Sequence, residues 1–471
     1  MIPTLTIVQS SVGLGDPHIC SDFRDRRAIL LALYESLVQR LPDGSYGASL
    51  ALEWHTSDAR VWEFQLREGV RCHNGDLLEA ADVVASLERV CDPALGGEWG
   101  TQGVYLSYLA GSHFEAINQQ TVRITLPHPL ADLLDLLVDM PIIPRRALPG
   151  IPATPVGSGP YRLVEASDRH LVMAWFEAYH GPAPLANEVV WIAAADPSER
   201  AALLMRGEAD IATHLTITDA AAWEASGGAC VRPLSGLCVI AMLNAAAGAC
   251  ADPRVRQALN YALDLPAIMQ ATMQGEAELL NGPLTRLHLA TDPDLPIYPF
   301  DQAKARMLLA EAGTPDLQLT MHIPTEHPDE SLELAELLSN AWAAVGITTT
   351  VVTHADRPGY AEMVRNKQID DACLFDSSPL SSMRVLREKI HSQLAGPWWQ
   401  GYRNHAVDLL IDRACATVNN SERQQIYRQA YRSIHADAPW IFLYSPQLRI
   451  GLGPRLRDWQ PRMDGVVRLF A

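Results

Sequence analysis

The chain has 471 residues, of which 48% are hydrophobic and 20% charged, and this length allows two or three globular domains with sizeable cores. Its formal net charge of −18 argues against a nucleic-acid surface, which needs clustered lysine and arginine side chains facing phosphate. No apolar run reaches the ~18 residues that a membrane-spanning helix requires. The eight cysteines form no C-x-x-C pair, so we expect scattered, buried thiols rather than a zinc or redox motif.

The N-terminal residues MIPTLTIVQSS lack the basic and long apolar regions of a secretory signal. We therefore expect either a mature, exported chain that begins with an added methionine or a cytosolic protein. The sequence alone leaves both alternatives open.

Strand and helix patterns alternate along most of the chain, which predicts α/β layers with much parallel sheet. In chain order, the patterns predict a strand at 4–9, a helix at 26–40, a strand at 61–70, a helix at 78–90, strands at 121–126, 161–166, 170–176 and 188–195, a helix at 198–209, a strand at 238–246, helices at 253–272 and 300–313, a strand at 317–323, a helix at 331–346, a strand at 347–353 and a helix running into a strand over 423–445. In the third of these elements Trp62, Phe64 and Leu66 share one face. Gly313 is predicted to end its helix.

The stretch PVGSGPYRLVE at 155–165 raises three alternatives, namely a phosphate loop, a nucleophile elbow and a turn. Arg162 stands where a dinucleotide loop needs its third glycine, and a strand follows instead of a helix. Ser158 lacks the G-x-S-x-G spacing of an elbow. We interpret the stretch as a tight turn in which glycines supply unusual dihedral angles and Tyr161 and Leu163 point into a sheet.

The other catalytic and metal motifs fail as well. GLGDPH at 13–18 has histidine in place of the third glycine, and the chain contains no Gly-Lys pair and no H-E-x-x-H. His322 and His327 lie five apart, which is not the spacing of a helical metal pair. We therefore predict no catalytic residues, no metal site and no cofactor.

Six segments, in this order, resemble those of one family. They are ALYESLVQRLPDGSYGASLALEW, WEFQLREGVRCHNGDLLEAADVVASLERV, PVGSGPYRLVE, LNAAAGACADPRVRQALNYALD, YPFDQAKARMLLAEAG and GYRNHAVDLLIDRA. Over more than 400 residues the chain resembles the family 5 solute-binding proteins, which serve ABC importers of dipeptides, oligopeptides and nickel.

The resemblance implies an α/β, two-lobed periplasmic-binding-protein clamshell of type II, similar to cluster C, with an extra subdomain. The implied parts are the lobe 1 main sheet from 1–29, 156–242 and 441–471, the extra subdomain at 30–155, and lobe 2 at 243–440. The chain would cross between lobes near Asn244 and Pro439. A ligand would sit in the cleft, and hinge closure would present a surface to the permease.

In peptide-binding relatives, a lobe 2 loop carries an aspartate that pairs with the peptide ammonium. Aligning Phe375 with the tryptophan of that loop places Ser378 in the aspartate position and Asp376 two residues early. Either the ammonium anchor is missing or Asp376 replaces it. Arg384 is a candidate carboxylate clamp, with a surface arginine or an ion pair to Asp376 as the alternative.

The remaining candidates come from both lobes. Trp398 and Trp399 lie in a glycine-flanked loop and are suited to stack on a planar or apolar ligand. The candidate ligand contacts are Asp16, His18, Trp99, Asp139, Met242 and Asn244 from lobe 1 and the crossover, and Phe375, Asp376, Ser377, Ser378, Arg384, Trp398, Trp399 and Tyr402 from lobe 2. For Asp16 the alternative is a plain turn residue.

We predict a monomeric, periplasmic binding module that captures a small polar ligand and passes it to ABC permease subunits. The ligand would be a short peptide, an opine-like amino-acid conjugate, or a metal chelate in which nickel lies inside an organic chelator. A cytosolic sensor with the same fold and an unrecognised hydrolase are the alternatives. A sensor would need no secretion signal, and a hydrolase would need perturbed titrating groups in one cleft.

Overall fold

The computed structural model describes residues 2–19, 24–97, 103–325 and 328–469. The chain divides into two compact units, unit 1 at 1–233 with 448–471 and unit 2 at 234–447. Within the described ranges, none of the helices combines the length and the hydropathy that a bilayer crossing needs. All seven cysteines in these ranges are free thiols, and five of them are buried.

The strands and helices of the described ranges are named in chain order. The strands are β1 Ile2–Gln9, β2 Val38–Arg40, β3 Tyr46–Ala48, β4 Ala51–Thr56, β5 Val61–Leu66, β6 His113–Ala116, β7 Thr121–Thr125, β8 Tyr161–Ala166, β9 His170–Trp175, β10 Ala186–Ala193, β11 Ile211–Ala212, β12 Ala229–Val231, β13 Cys238–Leu243, β14 Ala277–Leu279, β15 Gln318–Pro324, β16 Thr348–His354, β17 Ala372–Ser377, β18 Trp440–Pro446 and β19 Ile450–Leu452. The helices are α1 Arg24–Leu33, α2 Ala80–Val90, α3 Val104–Leu109, α4 Leu133–Leu137, α5 Pro197–Met205, α6 Ile217–Ala225, α7 Pro253–Tyr261, α8 Leu265–Met273, α9 Gln302–Glu311, α10 Ser331–Ala343, α11 Arg357–Arg365, α12 Ser382–Lys389, α13 His405–Ala416 and α14 Asn420–Asp437.

Each unit is built on one large mixed sheet. In unit 1 the strand order is β12-β19-β11-β1-β10-β9-β8, and only β1 makes parallel pairs, with β10 and β11. In unit 2 the order is β14-β18-β13-β17-β15-β16, and only β15 makes parallel pairs, with β16 and β17. Parallel pairs are thus present in both sheets, as the α/β pattern predicts, and hairpins and returning strands such as β8–β9 and β13–β18 add the antiparallel part.

A second, four-stranded sheet of unit 1, β4-β5-β7-β6, is antiparallel throughout. Trp62, Phe64 and Leu66 are all buried on one face of β5, as the alternating pattern predicts. The predicted hairpin over 161–176 forms as β8 and β9. Gly313 follows α9 with a φ of +76°, which confirms its predicted place at the end of that helix.

The helix predicted over 26–40 ends at Leu33, and its last residues form the short strand β2. The cause is the glycine turn predicted at 155–165. Gly159 donates its N–H to the carbonyl oxygen of Leu33 at 3.0 Å, and a Cβ on Gly157 would overlap that same oxygen. The glycines do not have positive φ, so the predicted unusual dihedral angles are wrong. They are required because the backbone of α1 approaches too closely for a side chain.

The long helix predicted over 253–272 is two helices, α7 and α8. Asp264 caps the second, since its carboxylate accepts the N–H of Ala267 at 3.1 Å. Pro266 at the second position of α8 lacks an N–H and cannot continue the hydrogen bonds of α7. The Asp-Leu-Pro sequence is thus a helix start inside an otherwise continuous apolar pattern.

Candidate ligand-binding residues

The candidates of unit 2 centre on the end of β17. Phe375 is buried, and its ring centre lies 5.2 Å from that of the half-buried Trp398. The guanidinium carbon of Arg357 lies 5.0 Å from the Phe375 ring centre, and Arg357 donates to Asp376 at 2.8 Å. An ammonium group would therefore have to compete with a guanidinium for Asp376. Ser378, just beyond the strand, is exposed.

Hydrogen bonds to the C-terminal end of α11 hold the loop that carries Trp398 and Trp399 in place. Lys367 Nζ donates to the carbonyl oxygens of Gly396 at 3.0 Å and Pro397 at 2.7 Å. Gln400 Nε2 donates to the carbonyl oxygen of Val364 at 2.8 Å. Burial lowers the pKa of Lys367 to about 8. The loop is thus fastened at both ends by contacts within unit 2.

Trp399 and Tyr402 are bonded to their neighbours. Trp399 Nε1 donates to the carbonyl oxygen of Tyr402 at 2.7 Å, and the guanidinium of Arg403 lies 5.3 Å from the Trp399 ring centre. Tyr402 is buried and donates its hydroxyl to Asp437 at 2.6 Å. Burial raises the pKa of Tyr402, so the hydroxyl remains a donor. These contacts give Tyr402 a structural role.

Arg384 departs from both of its predicted alternatives. It is buried rather than on the surface, and its Nε donates to Glu388 at 3.0 Å, one helical turn further along α12. Asp376, the predicted ion-pair partner, is bonded to Arg357 instead. Ser377 is buried at the end of β17.

Met242 and Asn244 lie at the end of β13 that is farther from the candidates around Phe375. Cys238, at the start of β13, is paired with Ser377, whereas Asn244 donates its N–H to Asp371 at the beginning of β17. At ~3.4 Å per residue, six residues of strand separate Asn244 from the Ser377 level by about 20 Å. Met242 is also fully buried. Asn244, the predicted crossing point, lies within unit 2.

In unit 1, Asp16 and His18 are held by Arg89 of α2. Arg89 donates to Asp16 at 2.9 Å and to Nδ1 of His18 at 2.9 Å, so the other ring nitrogen of His18 donates to the carbonyl oxygen of Pro141 at 2.9 Å. His18 is 1% exposed, and burial lowers its pKa to about 4. Both side chains stabilise the loop after β1, which agrees with the turn alternative for Asp16.

Because His18 and His73 are buried, we expect unit 1 to lose stability in mild acid. His73 accepts the N–H of Gly157 and donates to the carbonyl oxygen of Gly159, and burial lowers its pKa to about 4. A histidine with a depressed folded-state pKa makes unfolding easier as pH falls through its unfolded value of 6.5 towards 4. We expect unit 1 to lose up to about 3 kcal/mol for each residue over that range. Denaturant unfolding between pH 7 and pH 4.5 measures this.

The matched control for this pH effect is the His73→Asn variant. It is less stable at pH 7, since it lacks the ring contacts to the glycine turn, but its stability should fall less steeply between pH 7 and 4.5. Parallel pH profiles for the parent and the variant would contradict a neutral, buried His73.

Asp139 is the centre of a charge network, and its side chain is 22% exposed. It accepts from Arg27 of α1 and, at 3.1 Å, from Arg462 of the C-terminal segment. Burial alone would raise its pKa, but these two arginines lower it. The carboxylate is therefore ionised and its charge is already balanced. Trp99 lies outside the described residues.

Sequence reasoning missed Arg357 and Lys367, although both contact residues of the candidate group. Their partners lie 19 and about 30 residues further along the chain, so no local motif marks them. One signal was available, because Lys367 and Lys389 are two of only three lysines in the chain. The ammonium of Lys389 lies 5.6 Å from the Phe375 ring centre and 5.5 Å from that of Trp398.

Comparison with known proteins agrees with this architecture. The profile of bacterial extracellular solute-binding proteins, family 5 Middle, matches residues 45–374. The glutathione-binding protein GsiB of Pectobacterium atrosepticum is 29% identical over 411 residues, covering 83% of this chain and 79% of that protein. The solved structure of HbpA2 from Haemophilus parasuis has a TM-score of 0.86 at 22% identity, with 99% of both chains covered. That of NikA from Brucella suis in complex with Fe(III)-EDTA has a TM-score of 0.85 at 22% identity, covering 99% of this chain and 98% of that one.

The chain belongs to the bacterial extracellular solute-binding proteins, family 5. It has the α/β fold of the periplasmic binding proteins and is the solute-binding component of an ABC importer, not an enzyme. Proteins of this family bind peptides or small molecules and work with ABC permeases. The alternative of a cytosolic sensor is not favoured.

Proposed function

We propose that this protein captures a small, polar, carboxylate-bearing solute in the periplasm and delivers it as a monomer to the permease. The solute is a short peptide, an opine-like conjugate or a metal chelate. The relatives support a carboxylate-bearing ligand. Glutathione and EDTA, the ligands named for GsiB and NikA, both carry several carboxylate groups. In this proposal residues 30–155 are the extra subdomain of lobe 1, and 243–440 approximate lobe 2.

The proposed class of ligand rests on the arrangement of side chains around Phe375. Trp398 is half-buried beside Phe375, and Arg357 places a guanidinium over the Phe375 ring. An aromatic face binds a flat or apolar group, and a guanidinium binds a carboxylate bidentately. Three cationic groups, those of Arg357, Arg365 and Lys389, lie within 6.0 Å of the Phe375 or Trp398 ring centres, so this end of β17 favours a carboxylate over a free ammonium group.

The exposed Ser378 and the half-buried Trp399 complete the proposed contact region of unit 2. Ser378 contributes a hydroxyl that both donates and accepts hydrogen bonds. Trp99 of unit 1 remains a proposed contact on the basis of its sequence position alone. Ligand recognition then depends on a few side chains of loops that the sheets hold rigidly.

Purified protein, analysed by mass spectrometry in native and then denaturing solvent, tests the proposal directly. A small molecule released on unfolding names the ligand class. If none is released, a thermal-shift panel of glutathione, tripeptides, opines and Fe(III)-EDTA is expected to show stabilisation of RT ln(1 + [L]/Kd) without turnover. Depletion of a probe with release of a product would contradict a pure binding function.

Trp398→Ala is expected to weaken binding of the identified solute by at least tenfold, because a stacked aromatic contact contributes ~1 kcal/mol or more beyond its buried area. Isothermal titration calorimetry measures the affinity. Trp54→Ala, a half-buried tryptophan on the four-stranded sheet of unit 1, is the matched control and should bind as the parent does. Equal affinities for both variants would place the ligand away from the Phe375–Trp398 pair.

A further inference from the structure

Unit 2 contains a histidine pair that the ligand-binding function does not use. His322 lies near the end of β15, and His354 is the last residue of the adjacent parallel strand β16. His322 Nδ1 lies 2.8 Å from His354 Nε2, and His322 Nε2 lies 2.8 Å from a carboxylate oxygen of Asp370. The side chain of His322 is 10% exposed and that of Asp370 is 65% exposed.

Asp370 fixes the protonation pattern of the buried ring. An ionised carboxylate only accepts hydrogen bonds, so Nε2 of His322 carries the hydrogen that points to Asp370. Nδ1 of neutral His322 then has a lone pair, which is directed at the ring of His354. A carboxylate behind a histidine in this way orients the ring and raises its basicity as a metal ligand.

The two rings are also spaced as a pair of ligands to one ion. Two imidazole nitrogens at ~2.0–2.1 Å from a tetrahedral ion lie about 3.3 Å apart, and their ring centres lie about 5.2 Å apart. The ring centres of His322 and His354 are 5.1 Å apart. For an ion to enter, each ring must turn by roughly 35° at nearly constant ring-centre separation, which opens the N–N distance from 2.8 Å to about 3.3 Å.

We propose that His322 and His354 form a transition-metal site, with Asp370 as the residue that orients His322. Imidazole ligands suit Zn²⁺, Ni²⁺ and Cu²⁺. No group of three or more His, Cys, Asp or Glu side chains in the described ranges converges on one point, so water completes the coordination and the site is open. His354 is half-buried, which leaves access from solvent. The proposal does not depend on the identity of the ligand proposed above.

Titration of the chelator-treated full chain with Zn²⁺ tests this site. We expect His354→Gln to weaken the tightest Zn²⁺ binding at least tenfold, because it removes one of two protein ligands. Asp370→Asn, which keeps both ligands, is expected to weaken it 10–100-fold. His405→Gln, at an exposed histidine that begins α13, is the matched control and should leave binding unchanged.

Co²⁺ gives a second readout that does not depend on affinity alone. The parent is expected to show visible ligand-field absorption that His354→Gln loses and His405→Gln keeps. Thermal unfolding in chelator establishes that each variant is folded. Zn²⁺ binding by His354→Gln that equals the parent's, or absence of Zn²⁺ binding by the parent, would overturn the proposal.

Discussion

Replacing Gly157 by alanine is expected to destabilise unit 1 by about 3 kcal/mol or more. The added Cβ would overlap the carbonyl oxygen of Leu33 and lie 2.7 Å from a ring carbon of Tyr34. A backbone carbonyl cannot rotate away as a flexible side chain can, so either the turn or the end of α1 must move. Movement would also break the Gly159–Leu33 hydrogen bond and the contacts of both glycines with His73. Equilibrium unfolding in denaturant measures the loss.

Gly13→Ala is the matched control for this substitution. A Cβ on Gly13 would meet no atom within 4 Å, and the residue does not have positive φ. Its effect on the free energy of unfolding should lie within about 0.5 kcal/mol, as for most surface substitutions. If Gly157→Ala were as stable as Gly13→Ala, the close approach of α1 to the turn would be wrong.

This turn illustrates how far the sequence predicts the fold. The residue pattern identified a turn before a strand, and Tyr161 is indeed fully buried in β8. The sequence could not show why glycines are required at these positions, because their contact partner, Leu33, lies far earlier in the chain. For the same reason the helix appeared to continue to residue 40. Local periodicity predicts that elements exist, whereas their ends depend on distant backbone contacts.

The candidate site shows the same limit at the level of side chains. The resemblance brought Phe375 and Trp398 into one group, and the structure places their rings in contact. It also grouped Asn244 with them, although Asn244 lies at the opposite end of the paired strands β13 and β17. Alternation along a strand predicts which face a residue occupies, but the end of the sheet at which it lies depends on whether the neighbouring strand is parallel or antiparallel.

Charged candidates were the least predictable, because each carboxylate had a distant arginine partner. Asp16 is bonded to Arg89, and Asp376 is bonded to Arg357. A carboxylate in a loop suggests a ligand contact when its neighbours in sequence are uncharged. Burying such a group without a partner is costly, so a folded chain of this size supplies partners from elsewhere. The arginine-rich composition provides them.

Asp464→Asn is expected to destabilise unit 1 by about 3–5 kcal/mol, the usual cost of breaking a buried ion pair. Asp464 accepts from Arg462 at 2.7 Å and from Arg27 of α1 at 3.3 Å, while its carbonyl oxygen accepts from Arg24 at 3.1 Å. The side chains of Asp464 and Arg462 are 5% and 6% exposed. An asparagine keeps the shape but leaves buried guanidinium groups without their balancing charge.

Glu208→Gln applies the same chemical change to an exposed pair and is the control. The Arg206–Glu208 side chains are 53% and 54% exposed, so the loss there should stay below about 1 kcal/mol. A similar loss in both variants would mean that the Asp464 network is solvated rather than buried.

The pH dependence of the Asp464→Asn effect separates charge from packing. Burial alone would raise the pKa of Asp464, but Arg462 and Arg27 outweigh it and hold the pKa well below the usual 3.8. A carboxylate with a depressed pKa stabilises the fold fully above its unfolded value and loses that contribution as pH falls below it. The gap between parent and Asp464→Asn should therefore be constant from pH 7 to about pH 5 and close only below pH 3.8. By pH 3 the gap should have narrowed by about 1 kcal/mol, because the unfolded parent then binds a proton that the folded parent does not. A gap unchanged at pH 3 would mean that the asparagine acts by disturbing packing and not by removing a charge.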